Sequence, residues 1–385
     1  MSNPYFKLRV VDIARETTDA VTLYLEHPEK LPVHYKPGQF LTLIIPFEGN
    51  KVRRSYSLCS TPHEKPRLAV TIKRVANGLV SNYLVDHVQT GQEIEVMEPI
   101  GNFCLTCDPN QTRHIVLLGA GSGITPLLSI LKSVLHEERL SKVTLLYANR
   151  NENSVIFKNE LERLISEYPD RLQVAYTYSQ PLQSPKPSEP VKQSITTRFL
   201  ASMGLAKATA SEKQGGRMTS ESILKELESL GIGSKESTLY FLCGPEGFMD
   251  EATIALKKLK VPANKIFTER FVLKKHTAPD TQHNLENQAA TAGRHTTQTI
   301  TILHDGKEYQ VSVPPNQTIL EAALEQNLDL PYSCQAGLCT ACMGKCLSGA
   351  VHMDEHDGLS DLEIEEGYVL NCMAHPLTDN VRIEV

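Results

Sequence analysis

Apolar and polar residues follow two different periods along this chain, and the change of period divides it. Up to about residue 107 the apolar positions fall in short β-rich runs: Phe6–Ile13, Ala20–Glu26, Phe40–Ile45, Leu68–Val75 and Glu93–Glu98. Pro and Gly signals such as K-P-G-Q and V-M-E-P-I-G separate them. One helix is expected near Leu79–Val88. Evenly spaced short strands of this kind predict a small antiparallel β-barrel.

From about residue 113 strand and helix patterns alternate. Strands are predicted at Ile115–Leu118, Val143–Tyr147, Leu172–Tyr176 and Thr238–Cys243. Helices are predicted at Ile124–Glu138, Phe157–Glu167, Ser220–Leu230 and Glu246–Lys258. That order predicts a parallel sheet with helices on both faces. Pro181–Gly215 breaks the alternation. Its start, P-L-Q-S-P-K-P-S-E-P, cannot continue a sheet, so it reads as an insertion with a short helix near Ser194–Met203.

Lys274–Gln298 carries almost no large apolar residue and reads as a linker. Beyond it, strands at Thr299–Leu303 and Tyr309–Val313 precede a helix at Ile319–Gln326. The expected domains are therefore 1–109 (barrel), 110–273 (α/β domain with the 181–215 insertion), 274–298 (linker) and 299–385 (a ferredoxin-sized α+β unit).

Composition adds an asymmetry. The net charge is −6 over 385 residues, but from Thr299 onward fourteen Asp and Glu face three Lys and Arg. The rest of the chain is therefore net positive. An acidic unit on a mildly basic body suits electrostatic docking, as well as simple solubility. No basic stripe with aromatics points to nucleic acid. No apolar run reaches the ~18 residues of a membrane span. The opening M-S-N-P-Y-F-K-L-R-V lacks an apolar signal core, and the nine cysteines are odd in number, so a reducing cytoplasm is the expected compartment.

The last domain holds the most specific signal. Cys334, Cys339 and Cys342 are spaced C-x4-C-x2-C, and Cys372 follows 30 residues later. This is the plant-type [2Fe–2S] spacing: a short loop supplies three thiolates and a distant segment the fourth. Structural zinc usually takes paired C-x2-C knuckles, and only one such pair is present. Gly337 fits a loop that needs positive φ or room without a Cβ. Cys346 reads as a buried strand residue. Cys104-x-x-Cys107 reads as structural, with its thiols on opposite faces of a strand. His352, His356 and His375 read as surface residues.

Gly119–Pro126, G-A-G-S-G-I-T-P, follows an apolar strand and opens a helix. Glycines there let backbone approach a pyrophosphate, although Ile124 stands where the third Gly of the dinucleotide fingerprint would be. Arg54-Ser55-Tyr56-Ser57 offers a phosphate clamp, a flat ring and a hydroxyl. An ordinary exposed strand would look similar. Asn77–Asn82 is a Gly turn entering a helix, a phosphate seat or a plain turn capped by Ser81. Leu242–Met249, L-C-G-P-E-G-F-M, lies at a later strand–helix switch, where open sheets bind ligands. Arg150, at the end of the second α/β strand, favours NADPH over NADH, with Glu152 as the opposing signal.

In their order, R-S-Y-S, G-A-G-S-G-I-T-P, L-C-G-P-E-G-F-M and E-R-F resemble the ferredoxin–NADP reductase superfamily. The C-terminal cysteine set places the resemblance with oxygenase reductases of the phenylacetyl-CoA epoxidase type. That resemblance covers nearly the whole chain outside the insertion and linker. It implies a flavin, FAD with FMN as the alternative, held by Arg54, Tyr56 and Ser57. Lys73, Gly78, Val80 and Ser81 would line its phosphate region, and Glu269 and Phe271 would close its pocket. Thr125 would lie between flavin and nicotinamide. Gly121, Gly123, Cys243 and Gly244 would seat the nucleotide. Tyr56, Ser57, Thr125, Cys243 and Glu269 are the candidates nearest the chemistry. Gly216-Arg217-Met218 resembles a family motif displaced by the insertion. The implied function is electron transfer from NADPH (or NADH) through the flavin to the cluster and on to an oxygenase. A desaturase, an alkane or aromatic hydroxylase, a hybrid-cluster protein as acceptor, or a redox-sensing role are the alternatives.

Overall fold

In the computed structural model, the described residues are 5–47, 50–182, 216–233, 237–271, 296–335, 337, 339–356, 358–359 and 361–385. The helix expected near Ser194–Met203 and most of the expected linker lie outside them. Gln298, assigned above to the linker, opens a strand.

Six antiparallel strands form the first sheet. They are β1 (Tyr5–Thr17), β2 (Ala20–Glu26), β3 (Phe40–Phe47), β4 (Asn50–Ser57), β5 (Leu68–Lys73) and β6 (Glu93–Ile100), with helix α1 at Leu79–Asp86. The strand order is β4-β3-β6-β1-β2-β5. A bridge from Leu58, directly after β4, to Val70 of β5 joins the two edges and closes the expected barrel. Alternation fills the interior: Leu8, Val10, Leu23, Leu25, Leu41, Leu43, Val70 and Ile72 are fully buried. Each such side chain contributes roughly 1.5–3 kcal/mol. β4 is legible in the sequence only as a motif, because its start, N-K-V-R-R, has no apolar alternation.

The second sheet is wholly parallel. It is built from β7 (His114–Ala120), β8 (Lys142–Asn149), β9 (Leu172–Tyr178), β10 (Thr238–Gly244) and β11 (Ile266–Arg270), in the order β11-β10-β7-β8-β9. Helices α2 (Ile124–Glu137), α3 (Lys158–Glu167), α4 (Ser220–Ser229) and α5 (Glu246–Lys258) cover it. The order reverses between β7 and β10, so a crevice opens at their C-terminal ends. The 181–215 insertion does not disturb this sheet. Gly216 N donates to Ser179 O at 2.8 Å, so the chain re-enters beside the point where it left. A loop whose ends already meet adds only a slowly growing closure entropy.

The third sheet, β13-β12-β18-β14-β16, is mixed. Its strands are β12 (Gln298–His304), β13 (Lys307–Val313), β14 (Met343–Ser348), β16 (Tyr368–Leu370) and β18 (Arg382–Glu384). Helix α6 (Ile319–Glu325) packs on it, and the short elements β15 (Val351–Met353), α7 (Asp361–Glu365) and β17 (Ala374–Pro376) complete the β-grasp arrangement. Thr318 caps α6 by accepting from Glu321 N, and Glu321 reciprocates at Thr318 N. Ile319, Leu320, Ala322 and Ala323 face the core.

By contacts the chain forms two compact units. One contains residues 1–41, 56–99 and 103–271; the other contains 42–55, 100–102 and 272–385. In the first, barrel and parallel sheet share one core, in which Phe103 meets Phe241 edge-on at 5.5 Å between centroids.

Three expectations need correction. Cys346 does lie on β14, but half-buried, with its thiol donating to Ser348 O. Cys104 and Cys107 lie in irregular chain after β6, so strand alternation does not separate their thiols; burial raises both, Cys107 to about 12. His375 is not a surface residue. It is 9% exposed, with Nδ1 2.9 Å from Gln317 O and Nε2 3.0 Å from the Asp354 carboxylate.

Candidate functional site

In the first unit the candidate residues gather at the C-terminal edge of the parallel sheet. After β7, Gly121 adopts φ +55° and Gly121–Gly123 makes a single tight turn that leads directly into α2. A Cβ on Gly123 would lie 2.1 Å from Cys243 O, so only glycine lets this turn press onto the end of β10. Gly244 is similarly constrained: its Cβ would meet Phe248 at 2.9 Å and Ala120 at 3.0 Å. No side chain caps α2, and its first turn has no acidic residue. Its leading N–H groups suit an anionic pyrophosphate.

Thr125 is 2% exposed and donates its hydroxyl to Ser122 O at 3.0 Å, so it braces the turn. Tyr147 braces it from β8, donating to Gly121 O at 2.9 Å. Nothing in the sequence marks Tyr147, which looks like an ordinary apolar strand position. Asn149, the last residue of β8, also escapes a reading of motifs. It is 7% exposed, and neither of its side-chain polar atoms is hydrogen-bonded among the described residues. A buried amide left open at the ligand edge of a parallel sheet fits a polar ligand such as a nucleotide. A signal for it does exist: it is the one amide ending the strand K-V-T-L-L-Y-A-N.

Arg150 follows as an exposed residue. The Glu152 carboxylate accepts from Leu182 N at 3.0 Å. Tyr176 and Tyr178 stack nearly parallel, 6.5 Å between centroids. The displaced G-R-M motif returns here too, with Thr177 Oγ1 3.0 Å from Met218 Sδ.

The barrel contributes the other wall. Ser57, at the end of β4, donates to Glu269 Oε2 at 3.2 Å. Glu269 on β11 pairs in register with Cys243 on β10. Glu269 keeps a partial opening to solvent, but its carboxyl is desolvated, and this pushes it up to about 8 against the opposing pull of the Ser57 bond. Cys243 is fully buried, and burial with the neighbouring Glu269 pushes its thiol well up. It is therefore a protonated, unreactive thiol rather than a nucleophile.

Tyr56 is half-buried on β4, Arg54 is exposed on the same strand, and Phe271, just after β11, is 39% exposed. Lys73 sits with its ammonium 3.8 Å from where a Cβ on Gly121 would stand, and 3.9 Å from Asp19. Gly78 is the N-cap of α1, again without a side-chain cap or an acidic first turn. Val80 and Ser81 are buried, and Ser81 Oγ accepts from Val75 N at 3.2 Å, so Ser81 folds the turn back rather than capping the helix. The uncapped turn of α1 fits the phosphate of a flavin.

In the second unit the four cysteines converge. Cys334 neighbours Cys339, and Cys372 neighbours both Cys334 and Cys342. These thiols push one another up, and burial adds to it. The amides of Gly337 and Ala341 point at Cys372 and Cys339 and work in the opposite direction. Metal binding would need these thiols as thiolates and would release their protons. Gly337 has φ +71°, and a Cβ there would meet Glu355 at 2.8 Å, so both reasons for glycine hold. Among the described residues no three side chains are set to hold a single ion. Together Cys334, Cys339, Cys342 and Cys372 would supply the four thiolates that a [2Fe–2S] cluster takes.

Comparison with known proteins gives the same picture. An oxidoreductase FAD-binding domain matches residues 7–104, an oxidoreductase NAD-binding domain residues 117–253, and a 2Fe-2S iron-sulfur cluster binding domain residues 302–377. A component of the 1,2-phenylacetyl-CoA epoxidase of Escherichia coli K12 is 33% identical, covering 99% of this chain and 97% of that one. The ferredoxin reductase component of 3-ketosteroid-9-alpha-monooxygenase from Mycobacterium tuberculosis H37Rv is 36% identical, covering 98% and 95%. Phthalate dioxygenase reductase, a solved structure, shares the fold with a TM-score of 0.57 at 22% identity, covering 99% and 98%. The chain belongs to the family of these ferredoxin reductase components, and it transfers electrons from NAD(P)H through FAD to a [2Fe–2S] cluster.

Proposed function

We propose that this chain is the reductase component of a multicomponent oxygenase of the phenylacetyl-CoA epoxidase type, with NADPH as its electron donor. The observation that carries this reading is the match over almost the full length to components of oxygenase systems. No helix among the described residues is long and apolar enough to cross a membrane. The expected setting is the cytoplasm, with the oxygenase as the partner.

FAD, when bound, turns the two electrons of one hydride into single electrons that a [2Fe–2S] cluster can take. The chain's own residues do the positioning. Gly121, Gly123 and Gly244 give the nucleotide a close backbone approach, and Cys243 and Thr125 floor the crevice. Lys73, Gly78, Val80 and Ser81 would line the phosphate region of the flavin. Tyr56 packs on the ring system and Phe271 covers it. Ser57 and the protonated Glu269 keep a proton at the edge where hydride arrives. Cys334, Cys339, Cys342 and Cys372 hold the irons. Exposed Arg150 offers a guanidinium to a 2′-phosphate.

An anaerobic titration of the purified protein tests this. With NADPH, the flavin absorbance bleaches and the cluster band follows. NADH at equal concentration reacts more slowly. Equal rates for the two nucleotides would remove the role given to Arg150. The acceptor is tested by adding a candidate epoxidase or hydroxylase and measuring NADPH-driven product formation. Turnover with an unrelated hydroxylase alone would overturn the epoxidase assignment.

A further inference from the structure

Strand β4 carries more than its expected flavin residues. Arg54 and Tyr56 are the positions given to the flavin above. The alternate positions, Arg53 and Ser55, point to the other face of the strand, and there they meet the stretch that leads into the cysteine loop. Within the second unit, the Arg53 side chain is 3% exposed, and its Nη2 donates to both Asp329 carboxylate oxygens, at 2.9 and 3.1 Å. Its guanidinium also lies 4.5 Å from the centre of the Tyr332 ring. Ser333, next to the ligand Cys334, is bonded to Thr42 Oγ1 at 2.8 Å and, closely, to Ser55 Oγ. Asn102 donates to Gly358 O at 3.0 Å, and Gly358 N in turn donates to Gly337 O, inside the loop, at 2.7 Å.

A buried guanidinium is costly unless paired and well bonded. Here the carboxylate that pairs with it lies 276 residues away in sequence, on the short segment between α6 and Cys334. An arginine desolvated to this degree is an anchor, not a solvated surface charge. We infer that Arg53, Ser55, Thr42 and Asn102 form a seat for the cysteine loop, and that the Arg53–Asp329 pair holds the loop in the conformation in which its cluster takes electrons. This seat rests on the NAD(P)H–FAD–[2Fe–2S] relay and adds a positioning role for residues that touch neither nucleotide nor flavin. It also gives a use to the tyrosine and serine of P-Y-S-C, which the cluster chemistry leaves unassigned.

The test is anaerobic stopped-flow on the flavin- and cluster-loaded protein, reading flavin reduction by NADPH and cluster reduction as separate phases. Asp329→Asn alters an exposed side chain and should leave folding and flavin reduction intact, while slowing the cluster phase several-fold, because it takes the charge partner from a buried guanidinium. Arg53→Asp should do the same, and the exchanged pair Arg53→Asp with Asp329→Arg should recover most of the rate. If Arg53→Asp loses flavin, Asp329→Asn carries the test alone. Cluster reduction at the unmodified rate in Asp329→Asn would overturn the seat while leaving the relay intact. A slow flavin phase in the unmodified protein would instead implicate the relay itself.

Discussion

Ser57 and Glu269 lie 212 residues apart in sequence, and the Ser57 hydroxyl donates to Glu269 Oε2 at 3.2 Å. This bond ties the last residue of a barrel strand to the outermost strand of the parallel sheet. It also sets a carboxyl beside Cys243, with desolvation holding its proton.

The first prediction concerns that proton. In the unfolded chain a Glu carboxyl titrates near 4.3, whereas in the folded chain burial pushes Glu269 up to about 8. Between those values the folded state binds more protons than the unfolded, so this group's contribution to stability is full below the unfolded pKa and is lost as pH rises towards 8. Glu269→Gln should flatten that part of the profile. Urea midpoints for both proteins from pH 5 to 9 give the comparison, and parallel curves would show that Glu269 ionises normally. The same variant should remove any inflection near pH 8 from the rate of flavin reduction.

A second prediction separates two glycines of one turn. Gly123→Ala puts a methyl 2.1 Å from Cys243 O, where backbone must yield. A loss of roughly 1–3 kcal/mol is expected, as for other overpacked sites, together with a raised KM for NADPH at unchanged flavin content. Gly121→Ala meets only Lys73 Nζ at 3.8 Å, so its cost is the positive φ alone, about 1 kcal/mol. Equal effects on KM from both variants would mean that the contact with β10 does not shape the nucleotide seat.

How much of this is readable beforehand depends on range in sequence. The cluster ligands are legible because three of four thiolates sit in one nine-residue stretch, and the parallel sheet because each strand carries its own apolar run. The expected helix Glu246–Lys258 matches the observed one to the residue. What fails depends on distant partners. His375 looks exposed because a histidine with no visible partner usually is, yet Gln317 O and Asp354 satisfy both its nitrogens and let it be buried. Cys104 and Cys107 fall beyond a strand that ends at Ile100. Arg53 carries no local sign that Asp329 awaits it. Tyr147 and Asn149 gain their meaning only once the Gly121 turn lies beside β8.

The cysteines give a third prediction with an internal control. Cys342 is 2% exposed and neighbours Cys372, whereas Cys346, four residues on, donates to Ser348 O. Cys342→Ser should abolish the cluster absorbance and the reduced-cluster EPR signal but keep NADPH-driven flavin reduction. Cys346→Ser should leave all three intact. The reverse pattern would reassign the ligand.

The fourth prediction tests stability away from the site. Glu138, just past α2, is fully buried. It accepts from Arg113 Nε at 3.0 Å and Ser141 Oγ at 2.7 Å, while Arg171 Nη1 donates to its carbonyl at 2.9 Å. Arg113 immediately precedes β7, so this cluster pins the end of the sheet opposite the Gly121 turn. Breaking a buried pair from one side strands the other charge and costs about 3–5 kcal/mol. Glu138→Ala should therefore lower the urea midpoint with an unchanged m-value, while nucleotide KM and flavin reduction stay as they were in the fraction that remains folded. Arg113→Met with Glu138→Leu removes both charges and should recover most of the loss, because the penalty lies in the unpaired ion rather than in the missing attraction. If the double variant were as unstable as Glu138→Ala, the bonds to Ser141 and the surrounding backbone would be the true source of the stability, and the ion pair incidental to it.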